Sequence, residues 1–110
     1  KISNSNFEFT IETKVFSPDN DGFDDIAIFS YNLSEVGLTG SITVFDQFGR
    51  LIKKVKTNEL LGNQGVITWD GTNEKGQKAN VGIYLVLFEY FNSLGEFYSI
   101  KKTITLKTRF

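Results

Sequence analysis

The densest run of chemistry-bearing side chains in this 110-residue sequence is Ser17-Pro18-Asp19-Asn20-Asp21-Gly22, followed at once by Asp24 and Asp25. Ser17, Asp19, Asp21, Gly22 and Asp25 stand at the first, third, fifth, sixth and ninth places of a calcium-loop spacing, in which hard oxygen ligands converge and a glycine permits the sharp turn. At the twelfth place, where a bidentate Glu would close the cage, the chain has Ile28. Asp19, Asp21, Asp24 and Asp25 repel one another unless neutralised. Two readings stand side by side: a weak extracellular-type Ca²⁺ site on Asp19, Asp21 and Asp25, or a solvated turn braced by side-chain bonds to the backbone. Calcium is the one cofactor to which the sequence points.

The same carboxylates could be drawn as a hydrolytic pair, yet no neighbour in the sequence would raise the pKa of one of them. The chain has no His and no Cys, which removes the commonest general base, a thiol nucleophile, disulfides and the usual transition-metal ligands. Gly71-Thr72-Asn73-Glu74-Lys75-Gly76 lacks the strand-to-helix context of a phosphate loop, and its Lys precedes the last Gly. The expectation is a protein that is not an enzyme. With 12 basic and 13 acidic residues and a net charge of −1, it has no electrostatic footprint for nucleic acid. Lys101, Lys102, Lys107 and Arg109 read as a solvated strand face and tail. No apolar run approaches the ~20 residues of a membrane span. The start, KISNSNFEF, has no signal-peptide core, so an export signal is expected upstream in a longer parent chain.

The elements that would position these residues are short strands. Phe7, Phe9 and Ile11 alternate with Glu8, Thr10 and Glu12, and the pattern slips at Lys14, the mark of a bulge or a change of sheet. From Asp25 to Leu33, Ala27, Phe29, Tyr31 and Leu33 share one face. Ser41 to Asp46 and Arg50 to Lys56 flank Asp46-Gln47-Phe48-Gly49, a tight hairpin with Gly49 at the position needing positive φ. Thr57 to Gly65 reads as a polar crossing. Then come Val66 to Trp69, a long polar loop, Val81 to Phe91, a turn at Asn92-Ser93-Leu94-Gly95, and a last strand with Tyr98, Ile100, Ile104 and Leu106 on one face. Trp69, the only tryptophan, reads as a core plug, Asp70-Gly71 as a stiff corner, and Gly82 as room for a bulky ring, with Trp69 the candidate. No segment has a sustained helical period. The fold class is all-β: one immunoglobulin-like or fibronectin III-like antiparallel sandwich of seven or eight strands over 7–110, preceded by a linker over 1–6 from an upstream domain.

In order, FSPDNDGFDD at 16–25, ITVFDQFGRLI at 42–52, ITWDGTNEKGQ at 67–77 and VGIYLVLFEY at 81–90 resemble the C-terminal immunoglobulin-like domains of secreted and surface proteins of gliding and gut bacteria. Among these are gliding-motility-associated and type IX secretion sorting domains and the similar domain of the flagellar hook-capping protein. The gliding-motility pattern is Ser-Pro-Asn-Gly-Asp-Gly, where this chain has Ser17-Pro18-Asp19-Asn20-Asp21-Gly22. The resemblance implies an accessory module at the end of a larger exported protein, with a lamin-tail-like or enzymatic domain upstream. It implies a role in secretion, surface attachment or domain packing, and a location outside the cell or on its surface. Its partners would be the upstream domains of the same chain and the secretion or cell-surface machinery. The Lys-Lys-Thr-Ile-Thr-Leu strand near the end looks like a native C-terminus.

Two further surface readings follow from the residues. Val81 to Phe91 is apolar on both faces, so it reads as a central strand whose outer face, beside Tyr84, Tyr90 and Phe91, is a contact surface. Alternatively Trp69, Tyr84 and Tyr90 are stacking platforms of a carbohydrate-binding module. Lys53, Lys54 and Lys56 on one strand and Lys101 and Lys102 on another are charges of the kind that guard sheet edges, which favours a monomer. For the acidic turn, millimolar Ca²⁺ is expected to raise the melting temperature by a few degrees at most. A calorimetric shift above about ten degrees, abolished by Asp21→Asn, would instead assign the turn to a tight calcium site.

Overall fold

The computed structural model describes residues 8–12, 14–16, 26–33 and 37–107. Among the described residues it contains strands and no helix: β1 (Glu8–Ile11), β2 (Val15–Phe16), β3 (Ala27–Asn32), β4 (Leu38–Asp46), β5 (Leu51–Leu61), β6 (Gln64–Trp69), β7 (Gly82–Phe91) and β8 (Phe97–Leu106). A three-stranded sheet has the order β1-β3-β6, and a five-stranded sheet the order β2-β8-β7-β4-β5. Every pairing is antiparallel except that of β2 with β8, which is parallel. The result is the expected immunoglobulin-like sandwich. The pattern slip at Lys14 is a change of sheet: β1 lies in one layer and β2 in the other, and the Lys14 carbonyl accepts from Thr105 N–H at 2.9 Å.

Alternation along each strand sends one set of side chains between the layers. Phe9, Ile11, Ala27, Phe29, Ile67 and Trp69 come from the smaller sheet. Ile42, Val44, Tyr84, Val86, Phe88, Tyr90, Ile104 and Leu106 meet them from the larger one. Each of the large aliphatic and aromatic side chains among them contributes roughly 1.5–3 kcal/mol by leaving water. Aromatic contacts carry the packing across the layers, with Phe9 stacked on Phe88 at 4.7 Å, and Trp69 tilted against Phe16 at 5.4 Å and edge-on to Tyr84 at 5.6 Å. β7 is the middle strand of its sheet, as its two-faced apolar sequence predicts.

The hairpin at Asp46 forms as read: Gly49 has φ 84°, its N–H donates to the Asp46 carbonyl at 3.0 Å, and Asp46 N–H donates to the Arg50 carbonyl at 2.9 Å. Its strands are longer than the sequence suggests. Thr57 to Gly65 is not a polar crossing, since β5 runs on to the buried Leu61 and β6 starts at Gln64. The reason is irregular pairing: β4 and β5 shift register between Gly40 and Ile42, between Ile42 and Thr43, and between Val44 and Phe45. Such shifts erase simple alternation from the sequence. Asn58 takes a positive φ of 47°, a conformation Asn tolerates, and Ser41 Oγ fixes it by accepting Asn58 N–H at 2.9 Å.

Gly82 does not make room for Trp69, because a Cβ there would meet no atom within 4 Å. Close approach occurs elsewhere. A Cβ on Gly65 would lie 2.6 Å from Tyr31 Oη and 2.8 Å from Cζ, so the Tyr31 ring lies across Gly65, its partner on β6. The corner after Trp69 is stiff for stated reasons. The indole Nε1–H donates to the Thr72 carbonyl at 2.9 Å, Gly71 takes φ 83°, and Asp70 Oδ1 accepts Thr72 N–H at 3.1 Å and the Thr72 hydroxyl at 2.6 Å.

Truncating Trp69 removes the contact between the layers and the bond to Thr72 together. Trp69→Ala is expected to cost about 3–5 kcal/mol, read as a lowered urea midpoint. The Asp70 carboxyl is held below its ordinary value, first by the Thr72 hydroxyl, against burial, and then by Thr72 N–H and the charge of Lys53. A depressed carboxylate stabilises the fold above its unfolded pKa, and that contribution is lost as pH falls through the folded value. Asp70→Asn should therefore lower stability at pH 7 by less than about 1 kcal/mol. The gap between variant and parent should close as the pH drops below the ordinary carboxylate range near ~3.9. Thermal melts at both pH values check this.

Candidate functional site

Asp19, Asp21 and Asp25 lie outside the described residues. Among the described residues no group of three or more His, Cys, Asp or Glu side chains could hold a metal ion.

The aromatic platforms are corrected by burial: Trp69 is 2% exposed, Tyr84 4% and Tyr90 1%. A ring packed between two sheets cannot stack on a sugar. The same finding splits the expected contact surface. Tyr84, Val86, Phe88 and Tyr90 point inward from β7, and Ile83, Leu85, Leu87, Glu89 and Phe91 point outward. Of Tyr84, Tyr90 and Phe91, only Phe91, 38% exposed, belongs to the outer face. The signal was available in the numbering, because residues an odd number apart on a regular strand cannot share a face.

The outer face of β7 is flanked by its neighbours in register. Leu87 sits between Lys101 and Thr43, Leu85 between Thr103 and Phe45, and Phe91 between Phe97 and Thr39. Ile83 and Phe97 are exposed, and Leu85, Leu87 and Phe45 are half-buried. The other outer face differs. Glu8, Thr10, Glu12, Ser30, Asn32, Gln64 and Thr68 make it mainly polar, with Val66 exposed and Ile28 half-buried among them and the exposed Ile26 just before β3. One face of the sandwich thus has an apolar stripe along β7 bordered by lysines, and the opposite one is mainly polar.

At one end of the sandwich, a groove of about 580 Å³ runs between the β4–β5 hairpin and the loop before β7, lined by Asp46, Phe48, Arg50, Asn73, Asn80 and Tyr84 among others. Its carboxylate is already committed. Asp46 Oδ1 accepts Phe48 N–H and Arg50 N–H, each at 2.9 Å, and Oδ2 accepts the Arg50 guanidinium at 2.7 Å. Burial acts to raise its pKa, but the bonds from Arg50 and Phe48 outweigh it and hold the carboxyl below its ordinary value. Tyr84 donates to the Asn80 carbonyl, and burial, reinforced by the charge of Asp46, pushes its pKa up. An acid kept ionised and a phenol kept protonated form no acid–base pair at neutral pH. The recess braces the hairpin and the loop.

Comparison with known proteins gives the chain a place that no single side chain does. The chain matches no curated protein. Among solved structures it is similar to FlgD from P. aeruginosa, at 18% identity and a TM-score of 0.59, over 74% of this chain and 62% of that chain. At that identity the likeness concerns the fold, and this chain spans less than two thirds of FlgD. The family model of the type IX secretion signal domain, CHU_C, matches residues 9–105, from the first core phenylalanine to the penultimate residue of the last strand. The chain therefore belongs to the CHU_C type IX secretion signal domain family, whose domain marks proteins exported from the cell and released or held at its surface.

Proposed function

We propose that this domain is a non-catalytic sorting module that carries a larger polypeptide through type IX secretion and is recognised as a folded sandwich through the outer face of its five-stranded sheet. The observation that carries the reading is the family match over residues 9–105. The contrast between the two outer faces supports the choice of surface. An outward apolar stripe of exposed Ile83, Phe91 and Phe97 and half-buried Leu85 and Leu87, broken by Glu89, costs solubility unless something covers it, and the bordering Lys54 and Lys101 would give a partner a polar rim to pair with. The partner is then a component of the secretion machinery, and the upstream domains of the parent chain are the cargo.

The experiment fuses residues 1–110 to a passenger protein in a bacterium that possesses the secretion system and measures passenger at the cell surface and in the medium. Deleting 96–110 removes β8 and is expected to abolish export. Leu87→Glu, on the outer face, is expected to reduce it about tenfold or more while the purified domain keeps its melting temperature, since a charge buried at an interface core costs several kcal/mol. Export unchanged by the deletion would leave domain packing as the function. Export lost in the deletion but unchanged in Leu87→Glu would move recognition to another surface.

A further inference from the structure

An open sandwich leaves sheet margins whose unpaired backbone groups invite another strand, and proteins guard them with charges, bulges or short strands. Three of the margins here are guarded. β5 carries Lys53, Lys54 and Lys56 and has irregular register with β4. β8 is covered by β2 only at Thr105 and Leu106, and its uncovered part presents Lys101 and Lys102. β1 has four residues, with Glu8 at its start and Glu12 just beyond its end. β6, the other margin of the three-stranded sheet, has no such device: Gln64-Gly65-Val66-Ile67-Thr68-Trp69 contains no charge and no proline.

The register of β6 on β3 determines which backbone groups look outward. Leu33 N–H donates to the Asn63 carbonyl at 2.6 Å, so this is a hydrogen-bonded pair. Strict alternation then makes Tyr31 with Gly65, Phe29 with Ile67 and Ala27 with Trp69 the next ones. The N–H and C=O groups of Gln64, Val66 and Thr68 must point away from β3. Among the described residues no backbone group pairs with them on that side. Val66, at the centre of the three, is 65% exposed.

We propose that this edge is a homotypic docking site, on which a second copy of the chain lays its own β6 antiparallel with Val66 opposite Val66 on a two-fold axis. In that register Gln64 faces Thr68 of the other copy and Thr68 faces its Gln64, so all the outward groups of both strands bond to one another. The interface is isologous, as a two-fold axis requires, and the two three-stranded sheets become one continuous sheet. A β-branched pair meets at the axis, which favours cross-strand packing, and no like charges meet. The same symmetric pairing at β5 or β8 would gather lysines of both copies along the seam. A single shared strand edge buries less than the roughly 1,200 Å² of a standard interface, so the dimer is weak, dissociating on the order of 0.1 mM.

The test is sedimentation velocity on the whole 110-residue chain from about 10 µM to about 2 mM, with amide exchange followed at both ends of that range. The expected result is a mass rising toward twice the monomer, with the amides of Gln64, Val66 and Thr68 exchanging about fivefold more slowly at the top concentration. Val66→Lys, which sets two ammonium groups on the axis, is expected to stay monomeric throughout with an unchanged melting temperature in dilute solution. Thr68→Lys, at a second exposed position on the same edge, is expected to weaken the dimer without abolishing it. A parent chain that remains monomeric at 2 mM overturns the proposal. So does a dimer that protects other amides, or one that survives Val66→Lys in a folded protein.

Discussion

The contact of the Trp69 indole with Phe16 on one side and Tyr84 on the other is the constraint on which this sandwich most depends. Phe16 and Tyr84 belong to the five-stranded sheet and Trp69 to the three-stranded one, so the three rings join the layers at the end where β6 gives way to the long loop. The indole N–H, buried with its ring, needs an acceptor, and the Thr72 carbonyl supplies it. That bond sets the direction in which the chain leaves β6. Asp70 and Gly71 then make the same direction the low-energy one for the backbone. Packing and turn chemistry agree at this corner, which is the kind of consistency that gives a sequence a single fold.

Turns elsewhere repeat one device. Asp46, Asn73 and Asn92 each accept, through Oδ1, the N–H groups two and four residues ahead, and Gly49, Gly76 and Gly95 each donate back to the first carbonyl with φ between 80° and 84°. The pattern is Asp or Asn, two free positions, then Gly. It reverses the chain compactly while satisfying the backbone without help from the core. Two of the three turns join neighbouring strands of the five-stranded sheet, β4 to β5 and β7 to β8, and the third folds the long loop after Trp69 back on itself through the Thr72–Lys78 bridge.

Much of this is legible in the amino-acid sequence. The turns at Asp46 and Asn92, the inward faces of β3 and β8, an irregularity at Lys14 and the burial of Trp69 all follow from alternation and turn residues, because those rules act within a few positions, whereas the choice of a sheet change over a bulge at Lys14 needs the fold. What stayed hidden acts across strands. The irregular register between β4 and β5 blurs the period of β5, so that its second half reads as a polar crossing. The service done by Gly65, which gives the Tyr31 ring a flat surface to lie on, depends on a register no single strand reveals, whereas Gly82, the glycine that the sequence singles out, is free of such a neighbour. The outer face of β7 was recognisable as apolar. Its membership required parity, which excludes Tyr84 and Tyr90 and keeps Phe91. The family match runs over residues 9–105 and therefore rests on the whole sandwich rather than on any one side-chain cluster.

The parallel pairing of Val15 and Phe16 with Thr105 and Leu106 has a kinetic meaning. It unites the second strand with the last, so nearly the whole chain must be present before that seam can close, and the seam seats Phe16 under Trp69. Contacts so distant in sequence are the slowest to form, because the entropy of a long loop is lost before the contact repays it. Local hairpins, β4 with β5 and β7 with β8, can form as they appear. The ring contact that locks the two layers must wait for the end of the chain, and a copy truncated before β8 is left with half-assembled sheets and an uncovered aromatic interior, the state most exposed to proteolysis.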